Sequence, residues 1–470
     1  MYNKETDPQR SRPPTAIIEF GLKPAQAAYD GRSQYGTGVN AEHNWNQVCN
    51  GGIGIGALAI GDEEPKLAGR VLHEALRRLP RAMVHYGPDG AWNEGPGYWH
   101  YATRYNVYIL AALESALGHD FGLSDIQGFA DAGTFPIYVT GPTGRTFNFA
   151  DGGDNPIRAE EMFWLARRFD RPEYARYQAS RAEPNALDLL WYDAGLLQGG
   201  ESKPPPLDRY FRGSEVVTMR SSWDDPEAMF VALKAGDNKA NHSNLDIGSF
   251  VLEAGGQRWV VDPGRDNYNL PGYWERGVDG RRWTYYRMRA ESHNTLVLNP
   301  GKGPDQDPAA AARVVQYLAS PEKALAIADL TPAYWAHARS VRRSVQLLRG
   351  DSTTSPAVLI EDEISSDAAL DSWWFLHTPA AVEILESGRL AKLDLGGKQL
   401  YVRLRGPEQA AFEVADAAPL ASSPNPAGQA ANTGIRRIAI HLQGVRDARI
   451  VVELSRSPGV RLQAPGNGQL

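Results

Sequence analysis

The sequence predicts an α+β chain in two parts, a helical α/α array over residues 1–200 and an antiparallel β-sandwich over residues 212–470. Three observations carry this reading. Apolar residues recur at helical spacing between about Asn40 and Tyr192, and short alternating or β-branched segments dominate beyond residue 212. Between them, residues 195–212 (GLLQGGESKPPPLDRYFR) hold a Gly-Gly pair and a Pro triplet, which stop regular structure. At 470 residues the chain is long enough for two domains and a large core.

In the helical part, residues 66–80 place Leu67, Val71, Leu72, Ala75 and Leu79 on one face. Residues 104–117 repeat the pattern, and further helices are expected at 156–169 and 172–193. Pairs of helices with short connections make an α/α array. The run GGIGIGALAIG lacks G-x-G-x-x-G spacing and follows no evident strand, so its glycines read as sites of close helix packing. In the second part, strands are expected at 215–220, 228–234, 247–253, 294–299, 312–318, 357–361 and 448–454. The Ala-, Ser-, Pro- and Asn-rich stretch 415–432 reads as a loop.

Composition excludes several classes of function. A net charge of −7 with no long basic run argues against nucleic acid, whose binding depends on neutralising phosphates. No stretch approaches the roughly 20 apolar residues of a membrane span; Ile53 to Ile60 is short and glycine-rich. The single cysteine, Cys49, excludes an intrachain disulfide and a Cys-rich zinc site, and it reads as a buried structural thiol. The N-terminus as given, MYNKETDPQRSRPP, has no apolar signal region. The 12 Trp and 20 Tyr suit sugar faces, although they also fill ordinary cores. No feature specifies an oligomer.

Three constellations could carry chemistry. His43-Asn44-Trp45-Asn46 opens an apolar helix, either as an Asn N-cap over a packed Trp or as donors for a substrate carboxylate. Glu94-Gly95-Pro96-Gly97-Tyr98-Trp99-His100-Tyr101 runs into a helix on which Tyr98, Tyr101, Tyr105 and Tyr108 share a face. An aromatic core stripe is the plain alternative, but four phenols load a dry core with polar groups, and a wet sugar-binding groove accommodates them better. The third constellation reads Asn241-His242-Ser243-Asn244-Leu245-Asp246, then Trp259-Val260-Val261-Asp262-Pro263-Gly264. It ends with Tyr285-Tyr286-Arg287 and Glu291-Ser292-His293-Asn294-Thr295. A lone His is usually structural. Here His and Asp recur at strand ends among Gly and Pro turns, as in a site on a sheet rim, with or without a metal.

Together these stretches resemble the heparinase II/III-like superfamily of polysaccharide lyases, which includes heparin/heparan and alginate or oligo-alginate lyases. The resemblance spans residues 36–300 and rests on EGPGYW-x-Y and on the series NHSNLD…VDPG…YYR…SHNTL. It implies an α/α toroid, here incomplete, joined to a β-sandwich, with a site in the cleft between them. It also implies β-elimination at a uronic acid of an acidic polysaccharide or oligosaccharide, in which the C5 carbanion needs its charge stabilised through the adjacent carboxylate. By resemblance Asn44, with His43 or Asn46, neutralises that carboxylate and His242 assists. Tyr98 matches the catalytic tyrosine, the acid on the leaving O4 and in some relatives also the base. A free Tyr titrates near about 10, so a basic role needs cations such as Arg104 or His242. Tyr285 or Tyr286 would supply a second phenol. Glu94, Tyr101 and Arg287 join the substrate-binding set.

Several relatives bind a structural zinc through His-x-His, an Asp and a later His. Here Asn244 stands in the second His position, while Asp262 and His293 match the other two ligands. Zinc prefers imidazole or thiolate and an amide oxygen suits harder ions, so zinc, calcium and no metal all stay open. Only about 40 residues precede the Asn-Trp motif, which implies a reduced toroid or a chain without its natural N-terminal part. The resemblance points to a periplasmic or secreted location, with the cytoplasm as the alternative. Two other functions compete. One is a glycoside hydrolase using Glu94, Asp151 and Asp154; the other is a carbohydrate-binding relative that has lost catalysis.

Overall fold

The computed structural model describes residues 12–33, 36–180, 184–198, 204–351 and 354–458. Internal contacts divide the chain into two compact units. The first comprises Met1–Trp92, Pro96–Ile137 and Ile157–Ser202; the second comprises Asn93–Gly95, Tyr138–Pro156 and Lys203–Leu470. Two short stretches before residue 200, the part expected to be helical, cluster with the strands.

The first unit is built on helices Asn44–Ala59, Pro65–Arg78, Pro96–Leu117, Glu161–Phe169 and Pro172–Ala179. Pro65, Pro96 and Pro172 each open their helix, where a missing N–H is no loss. The expected 172–193 helix breaks after Ala179 and resumes as the short turns Asp188–Trp191 and Ala194–Gln198. The glycine run does serve packing. A Cβ on Gly51 would stand 2.8 Å from the Tyr105 carbonyl oxygen, and one on Gly54 would stand 2.7 Å from Ile109 Cδ1. The Asn44–Ala59 and Pro96–Leu117 helices therefore run in the same direction at close approach, with 51 level with 105 and 54 level with 109. Among the described residues no helix is long and apolar enough to cross a membrane.

Among the described residues the second unit holds two antiparallel sheets. In the smaller, Arg209–Phe211, Val216–Arg220, Phe230–Lys234, Phe250–Ala254 and Gln257–Val260 lie in that spatial order. The larger has 11 strands and centres on two long ones, Ala357–Thr378 and Arg436–Ser455, paired antiparallel. One core serves both sheets: Val217, Met219, Val231, Leu233 and Leu252 join Val345, Ile360, Trp374, Ile440 and Val452.

Side-chain alternation explains why 138–156 belongs here. The opposite face of the small sheet presents Arg220, Lys234 and Glu253, all buried. Charged groups can be buried only if they are satisfied, and the 138–156 segment supplies partners. Arg220 donates to the Tyr138 and Thr140 carbonyls, Glu253 accepts from Thr143 N and Oγ1, and Arg258 donates to the Thr146 carbonyl. Lys234 pairs with Asp246, whose other oxygen accepts from Ala150 N.

Candidate active site

The residues expected at the site divide between the two units. In the second, His242 is the organising side chain. It is buried and takes a left-handed backbone (φ 62°), as does Ala150 (φ 58°) on the facing turn. Such conformations cost free energy in residues other than glycine and persist only where their surroundings hold them. Several hydrogen bonds do so. Asp151 N donates to the His242 carbonyl (3.0 Å), Asn244 Nδ2 to the Ala150 carbonyl (3.0 Å), and Ala150 N to Asp246 Oδ2 (3.0 Å). Gly95 at φ 91° brings Glu94 close, since a Cβ there would lie 2.7 Å from the Phe149 carbonyl oxygen.

These turns set up a buried polar chain. His242 Nδ1 lies 3.1 Å from Asp151 Oδ2, while Asp151 Oδ1 accepts from Tyr273 OH (2.9 Å) and Arg282 Nη2 (3.0 Å). Burial alone would raise the Asp151 pKa. The Arg282 charge and the hydrogen bonds from His242 and Tyr273 outweigh it, holding the carboxyl below its ordinary range. An ionised carboxylate only accepts, so Nδ1 carries a proton and Nε2 is directed to the other side, 3.7 Å from Glu94 Oε2. Glu94 also accepts from Asn241 Nδ2 (2.9 Å). Burial, and then Asp151, push the Tyr273 phenol up, which keeps it a donor. Tyr268 stacks on the His242 ring and the half-exposed Trp274 meets its edge, with centroids 6.1 and 5.5 Å away.

In the first unit Asn44 opens its helix and is buried, with His43, not Asn44, in the capping position in extended backbone (φ −138°). Tyr98, half-buried, is the third residue of the Pro96–Leu117 helix. Extending the register of 51 with 105 along the two helices puts Asn44 level with Tyr98, and both helix N-termini face the same end. Asn46 is anchored elsewhere, donating to the Ala41 and Arg78 carbonyls. Arg104 pairs with Glu160 (2.8 Å) and contacts His100 Nε2 (2.8 Å), while His100 Nδ1 bonds Glu161 (2.7 Å) and Tyr108 bonds Glu160. Arg104 thus compensates a buried carboxylate. Burial pushes the Tyr101 and Tyr108 phenols up, leaving them as donors.

The remaining expected residues have internal partners. Tyr285 and Tyr286 are buried; the first donates to the Pro271 carbonyl (2.5 Å) and the second meets His377 Nε2 (3.0 Å). Arg287 ties the Arg265 carbonyl to Asn432 Oδ1, both at 2.9 Å. Of the three expected metal ligands, His293 and Asp262 bond one another (2.6 Å), and Asn244 Oδ1 accepts from the Arg282 guanidinium (2.9 Å). A fixed cation on that oxygen opposes a second one. Among the described residues no group of three or more His, Cys, Asp or Glu side chains could hold a metal ion. Two of the expected ligands, Asp262 and His293, thus stand together, while the third, Asn244, is committed to Arg282.

Sequence reasoning missed Tyr268, Tyr273, Trp274 and Arg282, and took Asp151 only as a hydrolase carboxylate. The segment NYNLPGYWERG carried a usable signal, since three aromatics between Pro and Gly turns are unlike a core strand.

No curated protein sequence matches the chain. Among solved structures it is similar to a mutant heparan sulfate lyase from Pedobacter heparinus, at 14% identity and TM-score 0.68, covering 92% of this chain and 62% of that one. It is also similar to a structure described as heparinase III (14%, TM-score 0.69, covering 94% and 64%) and to a heparinase III gene product (17%, TM-score 0.64, covering 86% and 58%). The chain therefore spans less than two thirds of the length of each, and at these identities the likeness concerns the fold. The family described as heparinase II/III-like, C-terminal, matches residues 203–453, more than half of the sequence and including His242 and Arg282, so the chain belongs to the heparinase II/III-like family.

Proposed function

We propose that this protein is a polysaccharide lyase that cleaves uronate-containing glycans by β-elimination, with Tyr98, Asn44 and His242 as the residues that carry the chemistry. The observation that carries the reading is the buried chain Arg282–Asp151–His242 with aromatic rings over the imidazole. Family membership supports it, and the names heparinase III and heparan sulfate lyase borne by its structural neighbours make heparan-type glycans the first substrates to try.

The chemistry follows from proton and charge bookkeeping. Removal of the C5 proton places charge on the uronate carboxylate, so donors must already point at it. Two helix N-termini at one level, those bearing Asn44 and Tyr98, offer partial positive charge for an anion. His242, with its Nδ1 proton held by Asp151, presents Nε2 as the acceptor of the C5 proton. Tyr98 protonates the leaving O4. Asp151 is a poor hydrolase acid, because its carboxyl is held down and not raised.

The test is incubation of the purified chain with a panel of heparan, hyaluronan and alginate fragments, following ultraviolet absorbance of the new C4–C5 double bond. Tyr98→Phe and His242→Ala should each lower kcat by about a hundredfold or more. Saturated reducing ends without absorbance would indicate hydrolysis, and glycan binding without turnover, unaffected by Tyr98→Phe, would indicate a binding protein.

A further inference from the structure

We infer that the first unit carries a second, distal site for an acidic oligosaccharide, at the opposite end of the Pro96–Leu117 helix from Tyr98. The inference rests on the uronate-glycan reading of the substrate but not on elimination chemistry.

An open cavity of about 580 Å³ lies there, lined by Ala111, Glu114, Trp164, Arg167, Arg168 and Trp191 among others. Ligand pockets commonly enclose roughly 300–1,000 Å³. Its walls combine two indoles with two guanidinium groups, the pairing that recognises a sugar ring bearing a carboxylate or sulfate. The two arginines differ. Arg168 is fixed by Ser124 Oγ (2.6 Å) and neutralised by Asp120 (3.4 Å) and Glu114 (3.6 Å). Arg167 is exposed in the last turn of Glu161–Phe169 and makes no hydrogen bond or ion pair among the described residues, which leaves its charge available to an anion.

The cavity is joined to the Tyr98 end by a row of rings. Tyr101 and Tyr105 are 5.6 Å apart, Tyr105 and Tyr108 are 6.1 Å apart, and Tyr108 and Trp191 are 5.9 Å apart, between centroids. From Tyr98 to residues 111–115 is 13 to 17 positions, roughly 20–25 Å along a helix axis. That separation spans several sugar residues. A glycan reaching from Tyr98 to Trp191 would lie along the phenols and set its acidic groups against Arg167, so long chains gain a contact that short ones cannot make.

The test is calorimetric binding of two probes, a heparosan tetrasaccharide and a long heparosan chain, to the full protein and to Arg167→Glu and Trp191→Ala. Arg167 is exposed, so its variant should fold even if Trp191→Ala does not. For Arg167→Glu the long chain should bind about tenfold more weakly, as expected for one charge-assisted contact, with tetrasaccharide affinity unchanged. Equal weakening for both lengths, or none for the long chain, overturns the distal site, as does a wild-type protein that binds neither probe. Length-dependent, Arg167-dependent binding without any double-bond product would sustain the site while refuting the lyase reading.

Discussion

Asp151 shows how one buried side chain links stability to the candidate chemistry. Its carboxylate meets Arg282, Tyr273 and His242, and Arg282 has no solvent exposure. Removing one charge of a buried pair leaves the other uncompensated, typically at a cost of about 3–5 kcal/mol. Asp151→Asn keeps the shape and removes the charge, so it should destabilise the chain toward the lower end of that range at neutral pH. The pH dependence has a definite sign. The folded carboxyl titrates below the ordinary value of about 3.9, so the unfolded chain takes up its proton first on acidification. The stabilisation is present above about pH 4 and is lost as the pH falls through the folded value. Denaturant titrations at several pH values should show the gap between wild type and variant shrinking only as the pH falls below the unfolded value of about 3.9. A gap of equal size at neutral and low pH would mean that Asp151 is not ionised in the folded protein. None of this could be read locally, because the partners of Asp151 lie 91, 122 and 131 positions along the chain.

At the scale of elements, local pattern was legible and long pairing was not. The 66–80 helix appears as Pro65–Arg78, and the glycine run packs as its composition implies. The strands read at 357–361 and 448–454 are only the ends of Ala357–Thr378 and Arg436–Ser455. The middle of the first is written in polar residues, DEISSDAALDS, with shifts in register near Ser365 and Leu370, and it extends because its partner strand satisfies it. The expected loop 415–432 begins two residues later, after the strand Phe412–Asp416, and runs to 435 as an anchored one. Glu291 accepts from Leu420 N (3.2 Å) and Ser423 Oγ (2.9 Å), and Asp266 accepts from Ala430 N (3.0 Å). Glu291 and Asp305 share Arg289, and burial, then the Asp305 charge, push Glu291 up to about 7. The folded state thus keeps a proton that the unfolded chain releases near about pH 4.3, so this carboxyl erodes stability as pH rises toward 7. Glu291→Gln mimics the protonated form. Its stability should exceed that of wild type increasingly from about pH 5 to 7; parallel stability curves would show that Glu291 titrates normally.

On the scale of the whole molecule, the two units are not two consecutive stretches of chain. The Gly-Gly and Pro-triplet segment marks where Lys203–Leu470 begins, but the second unit also contains Asn93–Gly95 and Tyr138–Pro156. The family match over residues 203–453 omits both. A fragment starting at residue 203 would lack Asp151, leaving Arg282 without its carboxylate, and would lack the Tyr138, Thr140 and Thr146 carbonyls that accept from Arg220 and Arg258. It would also strip Thr143 from Glu253 and Ala150 from Asn244 and Asp246. One orphaned buried charge of this kind costs about 3–5 kcal/mol, and a folded domain typically has only about 5–15 kcal/mol in total. The 203–470 fragment should therefore fail to unfold cooperatively in denaturant, although it contains every described strand. Grafting residues 138–156 onto its N-terminus through a flexible linker should recover a sigmoidal transition. If the bare fragment unfolds as sharply as the full chain, the 138–156 segment is an accessory to the sheet and not part of its folding unit.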